Sequence, residues 1–270
     1  MPYKIITEGK FIPKDIRTLY KRNKRLSQSQ EALQFIETKW NEFVNNSSKA
    51  FNGRLFRVDK YDTVTNNYIE LQLSDTDYKE FVGTRDHEFV NRFGKEYAAN
   101  PLSVGALLVT QDYKIILGKR SAVDTDVGKN KISVIGGYLD PSNDLSNRNN
   151  NIVDIFQAVT REIYEETGIN NKNIVELICI GLIDNKEHNQ INLPFYAKLD
   201  ISAEQIKAHI ITPQEIEFSQ IITIDSSVQS IIQFLDTYKG QEEEQLSDIV
   251  IPTLTIYKDL VSQNLLCGKK

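Results

Sequence analysis

The residues best suited to chemistry lie at 161–169, where the sequence reads REIYEETGI. Side chains three and four positions apart share one face of a helix, so Glu162, Glu165 and Glu166 are predicted to be neighbours. Their mutual repulsion opposes the helix, as does their place near its C-terminus, where the helix dipole disfavours negative charge. A divalent cation would relieve both penalties. Mg²⁺ prefers carboxylate oxygens and is often shared with phosphates, so the segment predicts a metal site that polarises a phosphate and activates water.

The alternative interpretation is a solvated helix face, because glutamate-rich surface helices are common. A pair of glutamates alone would favour it. This segment is more restrictive, since an arginine, three glutamates, two apolar residues and a glycine all keep fixed spacing. It also follows a strand, the pair Gly136-Gly137, a polar loop and an amphipathic helix.

The elements that must hold these carboxylates begin after Asn100-Pro101, where a domain boundary is predicted. Alternating and apolar segments predict strands at 102–110, 115–120, 131–138, 176–184, 192–200 and 215–225. Helices are predicted at 151–167, 226–236 and 252–266, with polar loops at 140–151 and 241–248.

The helix that carries the glutamates has an apolar stripe and two end signals. The stripe is formed by Ile152, Phe156, Val159 and Ile163. Asn151 is the predicted N-cap and Gly168 the predicted C-terminal stop.

The first hundred residues predict a smaller α+β unit. It has a helix at 27–46, strands at 54–62 and 66–75 joined by a turn at 64–67, and short helices at 77–84 and 86–94, each closed by a glycine. The predicted domains are therefore 1–100 and 101–270.

Composition excludes several classes of function. The chain has 270 residues, of which 40% are hydrophobic and 26% charged, as in soluble globular proteins. A net charge of -5 gives no electrostatic footprint for nucleic acid or an anionic membrane. No segment has the apolar core of a signal peptide or the length of a membrane span. Cys179 and Cys267 suggest neither a disulfide framework nor a zinc site, so the expected location is the cytoplasm.

The glutamate segment resembles the box of the Nudix hydrolase family, written G-x5-E-x7-R-E-U-x-E-E-x-G-U, where U is apolar. The second half of the box matches at every position from Arg161 to Ile169. The resemblance spans about 102–237 and implies an α/β/α sandwich with a mixed sheet. It also implies Mg²⁺- or Mn²⁺-dependent cleavage of a nucleoside diphosphate linked to another moiety.

Site residues follow from the resemblance by position. It implies that Glu162, Glu165 and Glu166 ligate the metal, with Glu162 as an alternative general base. The carbonyl group of Gly136 or Gly137 would complete the metal site. Arg161 would mainly orient a glutamate.

The first half of the box departs from the pattern. Val153 stands eight positions before Arg161, where the family has glutamate, and Gly137 lies 24 positions before Arg161 instead of 14. An insertion of ten residues therefore fits within 138–151. Candidate replacements for the missing carboxylate are Asp140, Asp144 and Asp154. The alternative is altered metal stoichiometry or weak activity.

Two flanking segments resemble the UDP-glucose pyrophosphatase branch of the family. They read TDYKEFVGT at 76–84 and NPLSVGALLVT at 100–110. The branch implies that a UDP-sugar and water give UMP and a sugar 1-phosphate. The segments carry no catalytic residues, so they indicate the fold relationship better than the specificity.

Further candidates for substrate binding lie at strand ends and turns. Arg120 could donate two hydrogen bonds to the diphosphate, although a surface arginine is the alternative. Asn185 and Glu187, with Asp184, lie in a turn between strands. Each could contact substrate, ligate a metal or act as base, or be only a turn residue.

Five other residues have a functional and a structural interpretation. Glu215 and Glu217 could supply a further catalytic acid. His188 could be a general base, although an exposed loop histidine is favoured. Tyr78 and Phe81 could stack on uracil, although helix-core packing is favoured.

Three functions are consistent with the sequence. The first is a diphosphatase for a nucleotide sugar such as UDP-glucose or UDP-galactose. The second is the same chemistry on another substrate such as ADP-ribose. The third is a non-catalytic nucleotide-binding or regulatory protein, favoured by Val153 and opposed by the three glutamates. The N-terminal unit could close over substrate, mediate a homodimer or brace the sheet.

Overall fold

The computed structural model of the chain describes residues 3–47, 50–63, 68–121, 130–147, 151–209 and 218–268. The strands are β1 (Tyr3–Phe11), β2 (Ile16–Arg25), β3 (Arg54–Asp62), β4 (Ile69–Asp77), β5 (Leu102–Val109), β6 (Lys114–Arg120), β7 (Ile132–Ser133), β8 (Leu145–Asn147), β9 (Ile152–Val153), β10 (Ile174–Asn185), β11 (Gln190–Leu199) and β12 (Phe218–Asp225). The helices are α1 (Gln30–Asn45), α2 (Tyr78–Thr84), α3 (His87–Phe93), α4 (Ile155–Thr167), α5 (Ala203–His209), α6 (Val228–Thr237), α7 (Glu242–Gln245) and α8 (Val250–Ser262).

A large mixed sheet forms the centre of the molecule, with the strand order β1-β10-β11-β5-β6-β12 and with β7 paired to β6. Strands β11 and β5 run parallel, whereas β10 and β11 are antiparallel. All of β5 and most of β11 are buried, because helices cover both faces of the sheet. Helix α4 packs on one face, and helices α6 and α8 pack on the other. The predicted α/β/α sandwich with a mixed sheet is confirmed.

Helix α4 is amphipathic, as predicted, but it begins later than expected. Val159 and Ile163 are fully buried against the sheet. The N-cap is Asp154, whose side chain accepts a hydrogen bond from the backbone N–H of Gln157, so the prediction of Asn151 was wrong. The helix ends at Gly168, which has the left-handed conformation (φ 71°) that glycine adopts without strain.

The smaller sheet has the order β2-β4-β3 and lies beside helices α1, α2 and α3. Its residues share one hydrophobic cluster with the α4 face of the large sheet; Phe56 and Leu71 are examples. The boundary at residue 100 stays a prediction, but β1 pairs with β10 and so lies in the large sheet. No helix in the described ranges is both long and apolar enough to span a membrane.

Other differences from expectation are local. Gly83 lies inside α2, where its missing Cβ lets the helix approach Ile36, and does not close that helix. The segment 131–138 is a regular strand only at β7, and the loop predicted at 140–151 contains β8. A short helix, α7, occupies part of the loop predicted at 241–248. The turn at 64–67 and both Glu215 and Glu217 lie outside the described residues.

Candidate active site

Two of the three glutamates on α4 face a common cleft. Glu162 is buried, and Glu166, one turn later, accepts a hydrogen bond at 2.9 Å from the backbone N–H of Gly136. Both line a cleft of about 340 Å³ that also includes Gly137. Glu165 is not among the residues lining it, since its side chain is 54% exposed and turns to Arg161. Helix α4 therefore contributes two carboxylates, Glu162 and Glu166, to the lining of the cleft.

The glycine pair fits the loop tightly against strand β5 and helix α4. At Gly136, where φ is 148°, a Cβ would lie 2.2 Å from the carbonyl oxygen of Val104. At Gly137 a Cβ would lie 2.7 Å from Oε2 of Glu162. The carbonyl oxygen of Gly137 accepts a hydrogen bond at 2.9 Å from the backbone N–H of Val104. At Gly136 only glycine avoids a clash with backbone, and at Gly137 a side chain would displace the Glu162 carboxylate.

Arg161 connects the glutamates to the insertion. Its Nη1 lies 2.8 Å from Glu162 and 2.8 Å from Glu165. Its Nε and Nη2 donate hydrogen bonds of 3.1 to 3.2 Å to Asp144, which is fully buried. The backbone N–H of Asp140 donates a further hydrogen bond to Asp144 at 2.8 Å. The arginine is thus held between a buried carboxylate and the glutamates of the cleft.

The three candidate replacements for the missing glutamate have different environments. Asp144 is the one that contacts Arg161, whereas Asp154 caps α4. Asp140 accepts hydrogen bonds from its own turn, at the backbone N–H groups of residues 142 and 143. Val153, at the position of the family glutamate, is buried in β9 and is not among the residues lining the cleft.

The negative charge of Glu162 in the cleft is only partly compensated by its surroundings. Burial raises the pKa of Glu162 to about 7; the charge of Arg161 opposes this rise and that of Glu165 adds to it. Burial also raises the pKa of Asp144, against the opposing effect of Arg161. A cation in the cleft would favour the ionised form of Glu162.

The side chains that border the cleft include possible ligands for a metal ion. In the described part of the chain, no group of three histidine, cysteine, aspartate or glutamate side chains is placed to hold a metal. Two carboxylates, Glu162 and Glu166, do border the cleft beside a glycine loop. This set fits Mg²⁺, which takes one or two protein carboxylates and completes its shell with waters and substrate phosphates.

The opposite wall of the cleft contains a hydrogen-bonded histidine and aspartate. Nε2 of His188 lies 2.9 Å from Oδ2 of Asp248, and Nδ2 of Asn185 lies 3.3 Å from the same oxygen. Oδ1 of Asn185 accepts hydrogen bonds from the backbone N–H groups of Glu187 and His188. His188 is 22% exposed in its side chain, so the favoured interpretation as an exposed loop residue was wrong.

Sequence reasoning missed Asp248. It ends an acidic run that was interpreted as a solvated loop. Nothing local distinguishes it from its acidic neighbours, since its partner Asn185 lies 63 positions earlier. The neighbouring Ser247 is held at β7, because its backbone N–H donates a hydrogen bond to the carbonyl oxygen of Ile132 in that strand.

The remaining residues predicted from the sequence differ in whether they line the cleft. Arg120 lines the cleft together with Lys131, whereas Glu187 is not among its lining residues. Phe81 also lines the cleft, but it is 2% exposed and packs in a hydrophobic cluster with Leu55 and Ala99, as favoured from the sequence. Tyr78 is half-buried, borders the cleft and packs against Phe81 at a ring distance of 6.0 Å.

Comparison with known proteins agrees with this geometry. No family model matches the chain. Over 204 residues the chain is 26% identical to Nudix hydrolase 9 of Arabidopsis thaliana, covering 64% of this chain and 65% of the relative. The resemblance to the Nudix hydrolases is confirmed. The human uridine diphosphate glucose pyrophosphatase NUDT22 is 23% identical over 190 residues, covering 62% of this chain and 61% of that protein.

The segment that resembles the second half of the Nudix box lies on α4 and its C-terminal end. In each of these two relatives the match spans less than two-thirds of the protein's length. Among solved structures, the NUDIX domain of Shewanella oneidensis NrtR complexed with ADP ribose is similar with a TM-score of 0.41 at 16% identity, covering 65% of this chain and 98% of that one.

Proposed function

We propose that this chain is a Mg²⁺-dependent hydrolase that cleaves the diphosphate bond of a nucleotide sugar, with a UDP-sugar as its substrate. The observation that carries the proposal is the pair Glu162 and Glu166, held against Gly136 in one cleft. Arg120 and Lys131 border the same cleft and provide positive charge for phosphate groups.

The roles of the residues follow from their contacts. Glu162 and Glu166 would hold the metal, which when bound polarises the diphosphate and acidifies a water molecule. Arg161 fixes the carboxylate of Glu162 from the side away from substrate. Arg120 and Lys131 stabilise the charge that develops on the phosphoryl oxygens.

The substrate class is supported by the relative NUDT22, which is named a uridine diphosphate glucose pyrophosphatase. The flanking segments at 76–84 and 100–110 resemble the same branch. The cleft also borders Tyr78 of the N-terminal unit, so that unit contributes to the substrate site. A UDP-sugar is the substrate that the relative and the two segments favour over ADP-ribose.

Product analysis tests the proposal. Purified protein with Mg²⁺ or Mn²⁺ is incubated with UDP-glucose, UDP-galactose, ADP-ribose, ADP-glucose and a nucleoside triphosphate. UMP and a sugar 1-phosphate are the expected products, from the UDP-sugars only. AMP from ADP-ribose would retain the chemistry and remove the uridine assignment.

Glu166→Gln tests the site itself. The variant should lower kcat about 100-fold or more while the protein stays folded, because it removes one of the two carboxylates that would hold the metal. The matched control is Glu88→Gln on α3, since the Glu88 side chain is 56% exposed and pairs with Arg92. If Glu166→Gln keeps the wild-type rate, the reaction does not depend on this carboxylate and the proposed metal site is wrong. If no substrate of the panel is cleaved with either metal, the chain is a non-catalytic nucleotide-binding protein.

A further inference from the structure

The floor of the cleft contains a side chain whose orientation is fixed by a serine. Ser103 Oγ donates its hydrogen to the carbonyl oxygen of Ile191 at 3.2 Å. Its lone pairs therefore accept from Nδ2 of Asn192 at 2.9 Å and from Nε2 of Gln190 at 3.0 Å. Asn192 is thus held with its Nδ2 on the serine and its Oδ1 turned away.

The carbonyl oxygen of Asn192 has no hydrogen-bond donor within the described ranges. The residue is 3% exposed and borders the cleft. A buried acceptor without a donor destabilises the folded protein, so it calls for a partner that the folded chain does not provide. The oxygen is suited to a ligand that carries an O–H or N–H group.

Asp248 is a second acceptor in the same cleft. Both of its side-chain donors, His188 and Asn185, reach the same oxygen, Oδ2. Burial raises the pKa of Asp248. The hydrogen bond and charge of His188, the hydrogen bond of Asn185 and the charge of Lys131 lower it, and together they hold the pKa below its ordinary value. The group is therefore an ionised acceptor whose position is fixed from one side.

The amide oxygen of Asn192 and the carboxylate of Asp248 both need hydrogen-bond donors from the part of the ligand that contacts them. An ionised phosphate offers only acceptor oxygens, which Asp248 would repel. A pyrimidine base offers few donors and several acceptors. A sugar offers several hydroxyl donors in different directions, which is the complement of a fixed amide oxygen and a fixed carboxylate.

We propose that Asn192 and Asp248 form the subsite that binds the hydroxyl groups of the sugar moiety of the substrate. The proposal rests on the proposed function, since it assigns one end of the substrate to one wall of the cleft. The phosphate groups then lie between this wall and Glu166, beside Arg120 and Lys131.

Binding of a sugar phosphate and of inorganic phosphate separates the sugar from the phosphate contribution. Calorimetry with the full chain and Mg²⁺ measures Kd for glucose 1-phosphate and for inorganic phosphate. The wild type should bind glucose 1-phosphate about tenfold or more tightly than phosphate. Asn192→Leu and Asp248→Asn should lose this preference and leave the Kd for phosphate unchanged.

Two controls keep the result interpretable. Asp259→Asn changes a carboxylate on α8 whose side chain is 38% exposed and lies next to Lys258, so it should retain the full preference. Asn192→Leu removes an unpaired buried acceptor, so its Tm without ligand should not fall in parallel with binding. If it fails to fold, Asp248→Asn alone decides.

Equal binding of the two ligands by the wild type would overturn the proposal, and so would a preference retained in both variants. This outcome is distinct from failure of the proposed function. If no substrate of the panel is cleaved, the hydrolase is removed and a sugar-phosphate preference remains as evidence of a binding protein. If the protein cleaves its substrate but does not prefer glucose 1-phosphate to inorganic phosphate, the proposed hydrolase stands and the proposed sugar subsite is wrong.

Discussion

Asp144 and Arg161 form a buried ion pair across 17 positions of sequence, with hydrogen bonds of 3.1 to 3.2 Å. The turn that begins at Asp140 places the aspartate, and the hairpin of β8 and β9 lies between it and α4. Asp144 itself thus lies within 138–151, the segment in which the insertion is predicted. The chain keeps an acidic partner for Arg161 although Val153 stands at the position of the family glutamate.

Asp144→Asn should destabilise the protein by about 3 kcal/mol, because it leaves the guanidinium of Arg161 facing a neutral amide in a buried site. It should also lower kcat, since Arg161 positions Glu162. Urea unfolding and steady-state kinetics measure the two effects. Glu88→Gln breaks an exposed pair with Arg92 and should change stability by less than about 0.5 kcal/mol. Equal stabilities of the two variants would refute the structural role of Asp144.

Sequence reasoning worked best where one local signal was sufficient. The apolar stripe and Gly168 predict the body and the end of α4, because side-chain period and backbone conformation are local properties. The N-terminal end was wrong because Asn151 and Asp154 are both good caps. Thr18 favours Asp154 over Asn151. Its hydroxyl group hydrogen-bonds to the backbone carbonyl and N–H groups of Val153 and holds the residues before Asp154 in β9, outside the helix.

The half of the site that was missed depends on contacts between distant segments. Glu162 and Glu166 were found because their spacing repeats on one helix. Asp248 and Asn192 have no such spacing, and they enter the cleft through strand pairing and through the segment before α8. The same reasoning explains Glu165, which shares the helix with its neighbours but faces Arg161 at the surface.

Gly136→Ala and Gly137→Ala should have different consequences. At Gly136 an added Cβ would meet backbone, so the variant should lose about 3 kcal/mol of stability or fail to fold. At Gly137 the Cβ would meet the Glu162 carboxylate, a side-chain end that can move. That variant should fold and lose activity. Thermal unfolding and kcat compare them, and a folded, fully active Gly136→Ala would contradict the geometry.

Thr18→Val should destabilise the junction between the N-terminal unit and α4. The threonine hydroxyl accepts from the backbone N–H of Val153 at 3.0 Å and donates to its carbonyl oxygen at 3.3 Å. Valine has nearly the same shape but leaves both buried groups unpaired, for a loss of about 2 kcal/mol. Thr237→Val, at an exposed position on α6, is the control and should change stability by less than about 0.5 kcal/mol. The same small change in both would show that the junction does not need this contact.

Asp248 should make stability depend on pH in the acid range. Its pKa in the folded protein lies below the ordinary value of 3.8, because the contributions of His188, Asn185 and Lys131 outweigh the effect of burial. A lowered carboxyl pKa contributes stability above the unfolded value, and this contribution is lost as pH falls through the folded value. The wild type should therefore exceed Asp248→Asn in free energy of unfolding at pH 5, and the difference should shrink toward pH 3. Urea unfolding of both proteins at pH 5, 4 and 3 measures it. A difference that stays constant or grows with acid would mean that Asp248 is not held ionised by His188.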